Sequence, residues 1–317
     1  MHSRLLIVLS IGLLLSGCTF NFPLFPGPGP LQETQVSGKG EAKVLLIEIS
    51  GMISSQDGDG LVPTPSLIAS VKEQLTRAMQ DEKVRAVVLR INTPGGTVTA
   101  SDIIHHELKM FKASRKIPIV ASIMDVGASG GYYIAAAADS VLAHPSSVTG
   151  SIGVIMLTVN ARGLLEKVGL EATAVTSGPR KDMGSPFRTM TTEERAIFQG
   201  LIDSFYQRFL SVVQEGRPQL QMEQIKKLAD GRIYTGEQAK EAGLVDEIGY
   251  LEDAVDLAKK QAGLTQARVV MYRRPGEYSN NVYSKLVAPG PLTSLGNLDL
   301  MAFVRGGTPQ FMYLWMP

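Results

Sequence analysis

VRAVVLRINTPGG, residues 84–96, is the stretch on which the fold turns. Its first eight residues carry apolar side chains on both faces, the pattern of a strand covered on each side and not of a half-solvated edge. Asn92-Thr93-Pro94-Gly95-Gly96 then stops the strand. Proline offers no ladder donor, and paired glycines permit a sharp turn that can present a backbone amide to a neighbouring group. A helix is expected from about Ser101 to Ala113. A buried strand, a glycine turn and a helix in succession are half of a βαβ unit.

The same alternation extends in both directions. Upstream, Val44 to Ile47 with Ile49 read as another buried strand, and Leu67, Ile68, Val71, Leu75, Ala78 and Met79 recur at helical spacing over 66–80. Downstream, 118–123 read as a strand and 132–138 as a small-residue helix. Strands are expected at 140–143, 153–158 and 171–176, with a helix at 161–168. Residues 178–190 read as a loop. Helices follow at about 192–215, 222–229, 236–242 and 250–262, and a last strand at 267–272. The expectation is an α/β fold with largely parallel strands, as one domain over 42–272. No internal repeat is visible.

Composition removes several classes of function. The chain has 317 residues, with 31 Lys+Arg against 30 Asp+Glu and only 6% aromatics. No charge excess or basic-aromatic run points to nucleic acid. Cys18 is the single cysteine, so the domain has no intrachain disulfide, cysteine metal site or cysteine nucleophile. The four histidines are His2, His105, His106 and His144. Adjacent on a helix, His105 and His106 point about 100° apart and form no metal pair. No metal and no cofactor are expected.

Residues 1–17 read as a targeting segment. The apolar stretch 5–15 is too short to span a bilayer comfortably, and Leu15-Ser16-Gly17-Cys18 resembles a bacterial lipobox. That resemblance implies cleavage before Cys18 and lipid attachment to it. Residues 18–41, dense in Pro and Gly, read as a tether. In the tail, 273–317, Met301 to Val304 and Phe311 to Met316 form two apolar clusters. They fit either a final strand on the chain's own core or a segment docked on a neighbouring subunit or in a peptide groove.

Chemistry concentrates at Gly127-Ala128-Ser129-Gly130-Gly131, a serine among small residues where a strand turns into a helix. Free N–H groups at the helix start can stabilise an oxyanion. The five residues also fit G-x-S-x-G, but the esterase triad needs an acid and then a histidine on later strands. After Ser129 the one histidine is His144, and Asp139 is the one acid between them, both in one short segment. A lysine can replace histidine once its pKa falls from about 10.4 towards 7–8. Lys181, between Arg180 and Asp182, is the candidate, although composition alone makes it a solvated loop lysine.

The segments 92–96, 127–133 and Thr149-Gly150-Ser151-Ile152-Gly153-Val154 resemble the signal peptide peptidase A family. Ser177-Gly178, Lys181-Asp182, Ser185-Pro186, 233–236 and 239–246 continue the likeness in order, over roughly 43–265. The chain resembles the short, single-domain form. The resemblance implies a crotonase/ClpP-like fold and a membrane-associated endopeptidase of the bacterial cell envelope. It implies Ser129 as nucleophile, Lys181 as general base, Ser151 as the hydroxyl orienting the lysine, and Gly96 with Gly130 as the oxyanion hole. It further implies apolar peptide substrates such as cleaved signal peptides, cut after small or apolar residues, and a homo-oligomer whose dyad is completed across subunits. The alternatives are a crotonase-type acyl-CoA enzyme and a non-catalytic envelope scaffold on the same fold.

Overall fold

The protein is described by a computed structural model over residues 29–57, 65–274, 281–283 and 310–316. Its centre is three parallel strands, β2 (Lys43–Ser50), β3 (Val84–Thr93) and β5 (Ile119–Ala128). The apolar runs alternate between two cores, as the two-residue period of a strand requires. Leu45, Ile47 and Ile49 face one core, and Val44 and Leu46 face the other. Helices α1 (Leu67–Gln80) and α2 (Val98–Arg115) close the first face through Val71, Leu75, Ile104 and Leu108. Helix α8 (Leu251–Gln261) closes the second through Leu251, Ala254, Val255 and Ala258. Each fully buried Leu, Ile or Val contributes about 1.5–3 kcal/mol relative to exposure. The charged residues Glu48 and Arg90, neighbours in register, neutralise one another in a buried ion pair.

Four further strands extend this centre: β1 (Gln32–Gly38), β6 (Ser140–Ala143), β10 (Glu247–Ile248) and β11 (Arg268–Arg273). The main sheet then runs β1-β11-β2-β3-β5-β6-β10. Strand β7 (Val148–Gly150) joins the far end of β5 and itself pairs with β9 (Ile233–Thr235). Helices α6 (Met222–Leu228) and α7 (Gly236–Glu241) precede and follow β9. This mostly parallel, helix-flanked sheet is an α/β fold. Among the described residues no helix is long and apolar enough to cross a membrane. Cys18 and the cluster 301–304 lie outside the described residues.

Two sequence expectations need correcting, and of the two readings of the tail the structure shows the strand on the chain's own fold. Residues 32–38, expected within the tether, form β1, an edge strand antiparallel to β11. Its polar composition, QETQVSG, concealed it: on an edge, backbone pairing holds the strand and few side chains are buried. Residues 171–176, expected as a strand, have no regular structure and are exposed. Their apolar and β-branched composition has no facing strand to pair with among the described residues. In the tail, β12 (Gln310–Leu314) packs on this same chain, between β4 (Gly95–Thr97) and β8 (Ile155–Leu157), as a separate three-stranded sheet.

Candidate active site

Three strand ends converge. At the end of β3, the Thr93 hydroxyl accepts from the Gly95 amide at 3.1 Å and donates to the Gly51 carbonyl. This fixes the turn into β4, where Gly95 has φ 107°, a region open to glycine. Ile53 locks the other edge of the turn: its amide donates to Gly95 O and its carbonyl accepts from Thr97 N, both at 2.9 Å. A methyl group on Gly96 would lie 1.9 Å from that carbonyl, so no larger residue fits. Helix α2 starts at once, capped by the Thr97 hydroxyl on the Ala100 amide at 3.3 Å.

Ser129 follows β5 and precedes α3 (Gly130–Ala135). Its backbone is strained, at φ 51° and ψ −114°; for a residue with a Cβ such a conformation costs about 1–3 kcal/mol. Three bonds hold it there. The Ser129 amide donates to Gly150 O at 2.7 Å, the Thr149 hydroxyl donates to Gly127 O at 2.7 Å, and the Tyr133 amide donates back to Ser129 O at 2.9 Å. The serine is 1% exposed, and its Oγ is buried without a hydrogen-bond partner among the described residues. A buried hydroxyl left unbonded costs about 1–3 kcal/mol.

The pairing of β5 with β7 places Ala128 opposite Gly150, so Ser129 and Ser151 leave neighbouring strands side by side. Ser151 is also at positive φ, 49°, and its amide donates to Arg232 O at 2.8 Å. Ser129, Ser151, Gly96 and Gly130 therefore gather in one place. Lys181 does not join them. It sits on an exposed turn, its amide on Gly178 O at 3.2 Å, and no hydrogen bond or ion pair links it to either serine.

The surroundings of Lys181 are nevertheless ordered. Arg180 pairs with Glu193, and Asp182 is held by Arg188 at 2.7 Å, so both flanking charges are engaged elsewhere. Arg188 also grips Glu194 at the start of α5 (Thr192–Gly216). The Arg188 hydrogen bond, with the Thr191 amide, pulls the Glu194 carboxyl down to about 2. This network clamps the loop to a helix N-terminus. The segment before it has little core of its own: α4 (Arg162–Lys167) has no buried residue, and Leu164, Leu170 and Val175 are 65%, 61% and 98% exposed.

His105 and His144 are occupied away from the serine. His105 is buried edge-on against the Tyr133 ring at 5.3 Å, and burial lowers its pKa to about 4. His144 Nδ1 lies 2.9 Å from the Ser146 hydroxyl, and its ring packs on Tyr250. Among the described residues no group of His, Cys, Asp or Glu could hold a metal ion. Sequence reasoning did not single out Thr93, Ile53 or Tyr133. The threonine ahead of the glycine turn was a visible signal; the other two act through tertiary contact.

A mostly parallel sheet with a glycine turn and a strained, buried serine at its strand ends is an α/β arrangement suited to nucleophilic chemistry by the serine. Matches to known proteins agree. Residues 112–265 match Peptidase family S49, and residues 64–149 match the Clp protease family. A relative from Enterococcus faecium carrying the name signal peptide peptidase SppA is 40% identical over 243 residues, 76% of this chain and 70% of that one. A relative from Synechocystis sp. named as a protease is 41% identical over 72% of this chain and 77% of its own length. A third, from Methanocaldococcus jannaschii and also named as a protease, is 38% identical over 68% of each chain. A point mutant of ClpP1 from Listeria monocytogenes is a loose structural likeness, with a TM-score of 0.44 at 21% identity over 66% of this chain and 94% of that one. The chain belongs to peptidase family S49.

Proposed function

We propose that this chain is a serine endopeptidase in which Ser129 is the nucleophile and Lys181 of a neighbouring copy is the general base. The observation that carries the reading is the Ser129 hydroxyl: strained, buried, without a partner among the described residues, beside Ser151 and the glycine turn, and bonded to no histidine. Neutral Lys181 Nζ takes the hydroxyl proton as Oγ attacks the peptide carbonyl. The resulting ammonium gives that proton to the leaving amine, and the acyl-enzyme is then hydrolysed by a water that the same lysine deprotonates. The Ser151 hydroxyl orients the amine. The Gly96 and Gly130 amides receive the developing oxyanion, a contribution of about 3–4 kcal/mol per donor in comparable sites.

Two features support completion in trans. Lys181 stands on an exposed turn with no partner for its amine among the described residues, and the segment ahead of it presents apolar side chains to solvent. Apolar surface of this kind marks an interface, and a head-to-tail ring would bring each lysine loop to the next subunit's serine. The lipobox-like residues before Cys18 support lipid anchoring in a bacterial envelope, with the domain outside the cytoplasm. The substrates that fit this setting are apolar peptides, including cleaved signal peptides. A serine-reactive phosphonate tests the chemistry. It should label Ser129 in the native protein and lose at least about a hundredfold in labelling rate in Lys181→Ala; equal labelling of both proteins would remove lysine as the base.

A further inference from the structure

The strand that delivers Ser129 is irregular just before its end. β3 and β5 pair without interruption from Val87 and Ile119 to Ile91 and Ile123, and pairing resumes at Thr93 and Gly127. That interval is two steps along β3 and four along β5, so β5 bulges between Ile123 and Gly127. Here β5 also changes partner on its other side, from β6, last paired at Ile123, to β7, first paired at Val126. A bulge bends its strand and leaves backbone groups unpaired. Because side chains alternate with a period of two, an even insertion moves the strand end without turning it over. The bend is tight: a methyl group built on Gly127 would lie 2.6 Å from Cγ2 of Ile123.

Side chains from both flanks hold the bulge. Ser147, just ahead of β7 and 1% exposed, directs its hydroxyl to the Ile123 carbonyl at 2.8 Å and also to that of Met124. From β3, Asn92 Oδ1 accepts from the Val126 amide at 3.1 Å, and Nδ2 donates to the Asp125 carboxylate at 3.0 Å. The Asn92 carbonyl meanwhile accepts from the Gly51 amide at 3.1 Å. Asn92 differs from Ser147 in also beginning the turn that leads to Gly96. That turn abuts the serine segment, since a methyl group built on Gly95 would lie 2.8 Å from the Gly130 nitrogen. One side chain therefore fastens the strand carrying Ser129 to the strand carrying Gly96. A carboxamide suits the task, because it accepts and donates at once. A carboxylate there would keep the acceptor, lose the donor and face the charge of Asp125.

We propose that Asn92 is a positioning residue, which sets the spacing between Ser129 and the Gly96 turn through the β5 bulge. This rests on the proposed Ser129 chemistry for what the spacing serves. A shift of about 1 Å at a reacting centre costs on the order of a hundredfold in rate.

The test labels the full-length chain with a fluorophosphonate and separates three quantities. The maximal labelling rate reports attack by Ser129, the half-saturating concentration reports binding, and the final labelled fraction reports correctly folded sites. In Asn92→Asp the maximal rate should fall at least about thirtyfold, with half-saturation changed less than about threefold and labelling complete at long times. Asn92→Asp combined with Asp125→Asn restores a donor across the same bond and the native net charge. That double variant should return to within about fivefold of the native rate. A native rate in Asn92→Asp, a loss confined to the labelled fraction, or no recovery in the double variant would overturn the proposal. Failure of the Ser129 reading is distinct: native protein that takes no label at Ser129 would overturn both.

Discussion

Ser129 and Lys181 sit in opposite kinds of structure. The serine is at the meeting point of parallel strands, 1% exposed, with its backbone fixed by bonds from Gly150 and Tyr133 and its neighbours fixed by Thr93, Thr149 and Ile53. The lysine is on an exposed turn held by flanking ion pairs, downstream of a helix with no buried residue. The first region can store strain because surrounding contacts over-determine it. The second cannot hold a catalytic amine to the needed precision unaided. On the proposed reading, one half of the chemistry is built into the monomer fold, and the other requires a surface to dock against.

The largest expected effects fall on the two residues proposed to meet. Ser129→Ala and Lys181→Ala should each lower kcat/KM at least roughly a thousandfold, and the double variant should be no worse than either, because the pair acts as a unit. Thermal unfolding should be little changed for Lys181→Ala. Additive losses in the double variant would break the pairing. Next comes Gly96→Ala, whose methyl group meets the Ile53 carbonyl. Turning that amide away should lower kcat about a hundredfold with KM changed less.

A smaller effect separates the two regions. Arg188→Ala frees Asp182 and Glu194, loosening the lysine loop without touching the serine. We expect kcat/KM about tenfold lower, with Tm lowered, since Glu194, 4% exposed, loses its partner. Acid should act similarly. Glu194 has its folded pKa pulled down to about 2, so its contribution is complete above the ordinary carboxylate range and is lost as pH falls towards 2.

The smallest effect concerns the serine side. Burial lowers the folded pKa of His105 to about 4, with Lys109, Arg208 and His106 adding to this and Asp102 opposing it. A base whose folded pKa is lowered favours the unfolded state in acid, so this stability is complete above about 6.5 and is lost as pH falls towards 4. His105→Phe should remove about 1–2 kcal/mol of the difference in unfolding free energy between pH 7 and pH 5. A native-like acid limb in that variant would place the titration elsewhere.

The sequence was informative where local pattern and tertiary role coincide. Val84 to Ile91 reads as a doubly covered strand and is one; Gly95-Gly96 and Ser129 read as turn residues and occupy turns with positive φ at Gly95 and Ser129. Strand β1 escaped because an edge strand of polar residues has no apolar period. Strand β12 was visible only as an apolar cluster, since its partners, β4 and β8, lie roughly 150–215 residues away. The ring packing of Tyr133, Phe209 and Tyr313 was hidden for the same reason: the rings come from α3, α5 and β12. Lys181 was found through resemblance, because nothing in its own environment distinguishes it from a solvated lysine.

The direct test of the central claim mixes the two inactive variants. Ser129→Ala subunits retain the lysine and Lys181→Ala subunits retain the serine. If each site draws its serine from one copy and its lysine from the next, equal mixing after dissociation and reassembly restores about one quarter of native sites. The account predicts that recovery in kcat, with phosphonate labelling confined to the Lys181→Ala subunits. Mixed oligomers, confirmed by native mass spectrometry, that remain as inactive as either parent would contradict it.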